Sequence, residues 1–186
     1  MKHVASRDNG DFKRLRMLAA SVAEQRACGR TLIDGPHLVA CWLDSASKPR
    51  QLVVSESGAG KAEVRVLLTR DPSIPLIQLK DSLFRELSGT QSPVGILAEI
   101  DIPPAPALDA ALAGGDWLLL DGVQDAGNVG SMLRSAAAFG VAHIFLGEGC
   151  AAAWSPKVLR AAQGAHLALH IREKADLAAL IGGFPG

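Results

Sequence analysis

The stretch "DGVQDAGNVGSMLRSAAAFG", Asp121 to Gly140, decides how the chain is read. An apolar run, Trp117 to Leu120, leads into it with no polar alternation. A strand of that kind is buried on both faces, as in a parallel sheet. The following loop carries Gly122 and Gly127, which let the backbone turn tightly or approach a ligand. Asn128 falls where a helix N-cap belongs, and the free N–H groups there favour anions. Arg134 follows six residues later and is placed to reach back, as a charged fork, toward a phosphate near the strand end. Taken singly, each feature has a plainer reading: a simple cap, a surface arginine, an ordinary strand–helix turn. The spacing matches neither a dinucleotide-binding G-x-G-x-x-G nor a G-x-x-x-x-G-K-[ST] phosphate loop. The residues alone give an anion-competent strand end at the carboxyl edge of a sheet, where open α/β folds bind ligands.

Downstream, the pattern is regular. "VAHIFLG" reads as a strand. "SPKVLRAAQG" reads as a helix with Ser155 as N-cap, Pro156 at N1 and Gly164 as stop. "HLALHI" reads as a strand and "EKADLAALIGG" as a helix. This is β-α-β-α-β-α, a parallel sheet with crossover helices. Upstream, "DIPPAPALDAALAGG", Asp101 to Gly115, divides the chain, because its prolines suit neither a helix interior nor a central strand. It reads as a linker with one short helical turn near Leu108. Before it, "DFKRLRMLAASVAEQRACG" reads as one helix whose Phe12, Leu15, Leu18 and Val22 share a face, stopped at Gly29. "TLIDG", "QLVVS", "IPLIQL" and "PVGILAEI" read as strands. They alternate with helices at Pro36, at "GKAEVRVLLTR" and at "DSLFRELSG", the last capped by Asp81 or Ser82 and stopped at Gly89. The expected organisation is an α/β domain of about four strands over residues 1–100, a Pro/Ala-rich linker over 101–115 and a second α/β unit over 116–186.

Composition narrows the function classes. The chain has 186 residues, 48% hydrophobic and 20% charged, enough for one good core or two small ones. No apolar run approaches membrane-span length, and the first residues lack a signal-peptide core, so no membrane partner is expected. Cys28, Cys41 and Cys150 are scattered without metal spacing and read as free thiols in a reducing cytoplasm, with no metal. With no tyrosine and 4% aromatic residues, a base-stacking platform is not expected. Net charge is zero but uneven. Residues 1–100 hold 14 basic and 11 acidic side chains, and residues 101–186 hold 5 and 8. The basic N-terminal stretch, which includes Arg14 and Arg16, fits either an anionic partner or a solvated helix face.

"LLLDGVQDAGNVGSMLRSAAAFGVAHIFL" resembles the first signature of the SpoU/TrmH family of RNA ribose 2′-O-methyltransferases, through Asp121, Asn128, Arg134, Phe139, Gly140 and Val141. "WSPKVLRAAQGAHLALHI" resembles the stretch that follows in that family, through Ser155, Pro156, Lys157, Arg160, Gly164 and Ala165. "TLIDGPHLVACWL" and "LFRELSGTQSPVGILAEI" look like the small ribosomal-protein-like substrate-binding domain often fused ahead of these enzymes. The resemblance implies the first half of a knotted parallel-sheet (SPOUT) domain, transfer of a methyl group from S-adenosylmethionine to a ribose 2′-hydroxyl of transfer or ribosomal RNA, and a homodimer. It implies Arg134 as the catalytic arginine and Asn128 as a support of the active-site loop. Lys157, Arg160, Arg14 and Arg16 are the candidate RNA contacts. A guanidinium is a poor base, since its pKa exceeds about 12, so the expected role of Arg134 is to grip a phosphate and stabilise the developing alkoxide.

The family's later signatures, G-N-E, I-P and S-x-N, are not present in "HIREKADLAALIGGFPG". The cofactor-binding residues are therefore expected mainly beyond the end of this sequence. The 186 residues alone are expected to be a fragment, inactive in transfer and exposing apolar surface, with non-catalytic RNA binding as the alternative activity. Other candidates stay open. His37 fits an RNA contact or a structural histidine. Glu148 fits a ligand group or a turn. His166 and His170, on the strand reading, share a face and read as structural.

Overall fold

The computed structural model describes residues 1–105 and 115–183. The chain divides into two compact units, Met1–Ile102 and Pro103–Gly186. The expected helical turn near Leu108 lies outside the described residues.

The N-terminal unit runs β1 (Lys2–Val4), α1 (Gly10–Ala20), α2 (Val22–Cys28), β2 (Arg30–Asp34), α3 (Pro36–Asp44), β3 (Gln51–Ser55), α4 (Glu56–Ala59), α5 (Ala62–Arg70), β4 (Leu76–Leu79), α6 (Asp81–Leu87) and β5 (Ile96–Asp101). It forms one five-stranded mixed sheet, ordered β1-β4-β3-β5-β2. β1, β4 and β3 are mutually parallel, while β5 runs antiparallel to both β3 and β2. Helices α1 and α6 pack together, as do α3 and α5. Phe12, Leu15 and Leu18 of α1 join Leu83, Phe84 and Leu87 of α6 in a core over Val53, Ile77 and Leu97.

The single long helix expected from residue 11 to 29 is two helices. Ser21 adopts an extended conformation (φ −125°, ψ 111°), and its hydroxyl accepts from the Glu24 amide, opening α2. The apolar periodicity ran through the break because a cap residue need not interrupt it. The sheet has five strands rather than about four, since the three-residue β1, with only Val4 buried, joins its edge. Helix α6 begins after Lys80 and ends at Ser88, not at the expected Asp81 or Ser82 cap and Gly89. Asp81 instead accepts hydrogen bonds from Ser57.

The C-terminal unit runs β6 (Trp117–Leu120), α7 (Ala126–Ala138), β7 (His143–Leu146), α8 (Pro156–Ala162), a 3₁₀ turn (Ala165–Ala168), β8 (His170–Glu173) and α9 (Leu177–Gly182). Its three strands are parallel in the order β6-β7-β8. β6 is an edge strand among the described residues, so only Leu120 is fully buried and Trp117, Leu118 and Leu119 are half-buried. This corrects the reading of a strand buried on both faces. Helices α7 and α8 meet at Gly130, where a Cβ would lie 2.4 Å from the Ala161 Cβ and 2.8 Å from the Val158 carbonyl oxygen. "HLALHI" is not one strand. Its first half is the 3₁₀ turn, so His166 and His170 do not share a strand face. His166 is buried against Trp154 and sits 2.8 Å from the Ala153 carbonyl, while His170 stacks on His143. Helix α8 closes on Gln163 in the left-handed region (φ 54°), one residue before the expected Gly164.

Candidate active site

The carboxyl ends of β6 and β7 are laced by the backbone. The Leu120 carbonyl accepts from the Gly147 amide at 2.9 Å and from the Cys150 thiol at 3.2 Å. The Val123 carbonyl accepts from the Ala151 amide at 2.9 Å. Gly122 and Gly149 face one another with positive φ, 61° and 78°, conformations that L side chains rarely adopt. The β8 end joins through the Glu173 carboxylate, which accepts from the Ala153 amide at 2.7 Å, and through the Ala175 amide, which donates to the Leu146 carbonyl at 2.9 Å. The segments at the three strand ends thereby spend four backbone donors, those of Gly147, Ala151, Ala153 and Ala175, on one another.

Helix α7 starts from this platform. Its N-cap is Asp125, not Asn128: the Asp125 carboxylate accepts from the Asn128 amide at 2.8 Å. A carboxylate is as good a cap as an amide and also faces the positive helix end, and the D-x-x-N spacing was the overlooked signal. Asn128 is thus the third residue of the helix, exposed, with its side-chain amide unpartnered among the described residues. Arg134 is exposed and likewise makes no hydrogen bond or ion pair with the described residues. Six residues at 100° each place Asn128 and Arg134 about 120° apart around the helix, so they share the helix and not one face.

The remaining candidates separate. On α8, Ser155 caps and Pro156 holds N1, as expected. Lys157 is exposed, whereas Arg160 is half-buried with its Nη1 sealed from solvent. Arg14 and Arg16 belong to the N-terminal unit. Arg14 is committed within the protein: its Nη1 lies 2.6 Å from the buried Glu99 carboxylate and its Nη2 donates to Gln51 at 3.1 Å. Arg16 is exposed, its guanidinium 6.0 Å from the Phe12 ring centre. His37, at the start of α3, pairs with the Cys41 thiol at 3.8 Å. Glu148 is an exposed turn residue. Cys28, Cys41 and Cys150 are all free thiols. Among the described residues, no group of three His, Cys, Asp or Glu could hold a metal ion, and no helix is long and apolar enough to cross a membrane. Sequence reading missed Asp125 and Glu173, whose work is to fix loops rather than to meet a ligand.

Comparison with known proteins locates this arrangement. The SpoU rRNA Methylase family matches residues 117–185, and the MRM3-like substrate binding domain matches residues 9–98. The first match falls in the C-terminal unit and the second in the N-terminal one. It is 33% identical over 174 residues to the zebrafish (Danio rerio) rRNA methyltransferase 3A, mitochondrial, covering 84% of this chain and 38% of that protein. It is 32% identical over 166 residues to the 23S rRNA (guanosine(2553)-2′-O)-methyltransferase RlmP of Bacillus subtilis, covering 89% of this chain and 62% of that one. Among solved structures, a putative RNA methyltransferase of the TrmH family from Porphyromonas gingivalis superposes with TM-score 0.71 at 32% identity, over 89% of this chain and 62% of that chain. The AdoMet-bound rRNA methyltransferase from Sinorhizobium meliloti superposes with TM-score 0.80 at 22% identity, over 98% and 67%, and shows the shared fold. The chain thus spans 38% and 62% of the lengths of these two curated relatives. The match over residues 117–185 and these superpositions give β6, α7, β7 and α8 the α/β fold that those methyltransferases share.

Proposed function

We propose that the protein takes part in S-adenosylmethionine-dependent methylation of a ribose 2′-hydroxyl in ribosomal RNA. Residues 1–100 would bind RNA, 101–115 would link, and 116–186 would form the N-terminal part of the methyltransferase domain. The observation that carries this is Arg134: an uncommitted guanidinium on the helix that leaves the laced ends of β6 and β7. Ribosomal rather than transfer RNA is favoured by what the curated relatives are named for.

In this mechanism Arg134 holds the RNA phosphate beside the target ribose with its planar fork and stabilises the alkoxide that develops as the hydroxyl loses its proton. The proton leaves to that phosphate or to water, since the guanidinium does not deprotonate. Asn128, free of capping duty, supports the active-site loop from the first turn. Lys157 and Arg16 add phosphate contacts. Arg160 and Arg14 act mainly through the protein, Arg14 being held by Glu99. A cavity of about 250 Å³ lies at the end of β8, between Arg172, Lys174, Asp176 and Leu180, whereas the ends of β6 and β7 are closed. Their backbone donors are spent between loops, and the space over Gly147 is taken by Leu177, 2.9 Å from where a Cβ would stand. The cofactor is therefore expected to be held mainly by residues other than those of the β6 and β7 ends, and no step is routed through it.

The same spent donors favour a second reading for these residues in isolation, RNA binding without transfer. A homodimer fits the exposed Phe139 (85%) and Met132 (38%) beside the half-buried Trp117 and Leu118, and sedimentation velocity tests it. Three free thiols fit a reducing cytoplasm. The deciding experiment is methyl transfer from labelled S-adenosylmethionine to ribosomal RNA by the protein expressed from its complete reading frame. Arg134→Lys keeps the charge and loses the fork, and is expected to lower transfer on the order of 10²-fold. Full transfer by that variant would refute the bidentate role. RNA binding with no transfer by wild type would leave the second reading standing.

A further inference from the structure

A crevice in the N-terminal unit has the form of a ligand site. β3 and β4 are parallel neighbours, with Ser55 opposite Leu79 at their carboxyl ends. After β3 the chain enters α4 and α5, and α5 packs with α3; after β4 it enters α6, which packs with α1. The two connections depart to different helix pairs, and such a divergence opens a crevice beyond the carboxyl ends of the strands. A cavity of about 280 Å³ occupies it, just under the ~300 Å³ lower end of ligand clefts, and suits one nucleoside rather than a longer segment.

Its floor is rigid. The Ser55 amide donates to the Gly95 carbonyl at 3.0 Å, and the Gly58 amide donates to the Ser55 hydroxyl at 2.9 Å. Gly58 and Gly95 are in such close contact that a Cβ on the first would stand 2.4 Å from the oxygen of the second. On this floor, the Ser57 amide and hydroxyl donate to Oδ1 of Asp81 at 3.0 and 2.9 Å. Those two bonds, the amide's first, hold the Asp81 carboxyl below its ordinary pKa. The Ser55 hydroxyl and the Arg85 charge act in the same direction more weakly, and both Ser57 bonds fall on Oδ1, which leaves Oδ2 as a charged acceptor facing the crevice. Arg85, one turn on, is exposed. Its Nε donates to the Asp81 carbonyl at 3.2 Å, which leaves the two Nη groups as donors. Gln91 and Ser92 complete the rim.

We propose that this crevice binds one unpaired guanine of RNA. Guanine carries the N1–H and N2 amino donors on one edge, matching the acceptor-only Oδ2, and the O6 and N7 acceptors on another, matching the Arg85 fork. Adenine and cytosine present one amino donor beside an acceptor, and uracil a single N–H between two carbonyls. Unpaired bases splayed into pockets are the usual means of sequence-specific RNA readout. The assignment rests on the reading of the chain as an RNA-binding protein, and it names which base is read.

The test titrates 5′-GMP, AMP, CMP and UMP into the protein and follows backbone amide NMR shifts. GMP is expected to move Ser55, Ser57, Arg85 and Ser92 selectively. Asp81→Asn keeps an oxygen for Ser57 and turns the free acceptor into a donor. It is expected to weaken GMP at least about tenfold and to gain xanthosine monophosphate, whose C2 carbonyl replaces the amino group, with an unchanged melting temperature. A merely structural Asp81 would not exchange ligands. Equal shifts from all four nucleotides, or none at the crevice, would overturn the proposal. Binding to a single-stranded RNA 20-mer is measured alongside. RNA binding with no guanine preference refutes the crevice and spares the RNA reading, whereas no RNA binding refutes that reading as well.

Discussion

Replacing Gly130 by alanine tests the helix contact that positions Arg134. The added methyl would stand 2.4 Å from the Ala161 Cβ, 2.8 Å from the Val158 oxygen and 3.0 Å from the Ala162 nitrogen. Carbon pairs prefer about 3.5–4.0 Å, so α7 must lift from α8 by roughly 1 Å. Two of the three contacts are backbone, and no rotamer change relieves them. Overpacking of this kind costs about 1–3 kcal/mol, and with backbone in the way the upper end applies. Alanine returns about 1 kcal/mol of helix propensity. The net expectation is a loss of about 2 kcal/mol, or roughly 8–16 °C in the melting temperature of a unit this size. Trp42 lies in the N-terminal unit and Trp117 and Trp154 in the C-terminal one, so tryptophan fluorescence in a Trp42→Phe background reports the right transition. Gly182→Ala in α9 of the same unit is the control, because nothing lies within 4 Å of its Cβ, and it should be neutral or slightly stabilising. Ala161→Gly should restore part of the loss, coupling the two sites. Gly130→Ala melting at or above wild type would refute the packing argument.

Asp125→Ala should cost about 1 kcal/mol by removing the α7 cap, while Asn128→Ala should leave stability within about 0.5 kcal/mol and lower transfer; equal destabilisation in urea titrations would contradict the cap assignment. Glu99 is buried and faces Arg14 and Arg30 at 2.6 and 3.4 Å. Glu99→Ala should destabilise by about 1–3 kcal/mol, less than for a fully buried pair because both arginines are over a third exposed. An unchanged urea midpoint would count against that network. Burial pushes the His166 imidazole down to about 4 from its ordinary 6.5, against a smaller opposing effect of its bond to Ala153. The unfolded chain then binds the extra proton between those values, so stability is full above pH 6.5 and falls by about 3 kcal/mol as pH drops toward 4. His166→Gln should flatten that part of the stability–pH curve, and an unaltered slope would show that His166 is not its source.

Much of this was legible from residue order. The strand–loop–helix unit around Asp121 and the Ser155 cap follow from local chemistry that tertiary contacts did not override. The misreadings have specific physical origins. Ser21 and Asp125 are caps hidden inside apolar periodicity, where two acceptable cap residues compete and only backbone geometry decides. The run from His166 to Ile171 is short enough to be turn or strand, and burial of His166 under Trp154 settled it. Whether a strand such as Trp117–Leu120 is central or at an edge depends on its neighbours and not on its own side chains. The Asp81 crevice was invisible because Ser55 and Ser57 lie 24 or more residues before the Asp81–Pro93 half and meet it only through the strand order.

That strand order also governs synthesis. In the C-terminal unit each strand pairs with the next one made. In the N-terminal unit β2, among the first strands to leave the ribosome, pairs only with β5, the last of its sheet. β1 must wait for β4, since Lys2 lies opposite Ile77. At about 5–20 residues per second, roughly 5–20 s pass before Asp101 is added and the sheet can close. Until then the nascent chain carries the apolar Leu32–Ile33 with no partner strand, and Leu52–Val54 with β4 on one edge and the other edge open. Codon choice over residues 34–96 would therefore set how long the N-terminal unit depends on chaperones, although those codons leave no trace in the finished fold.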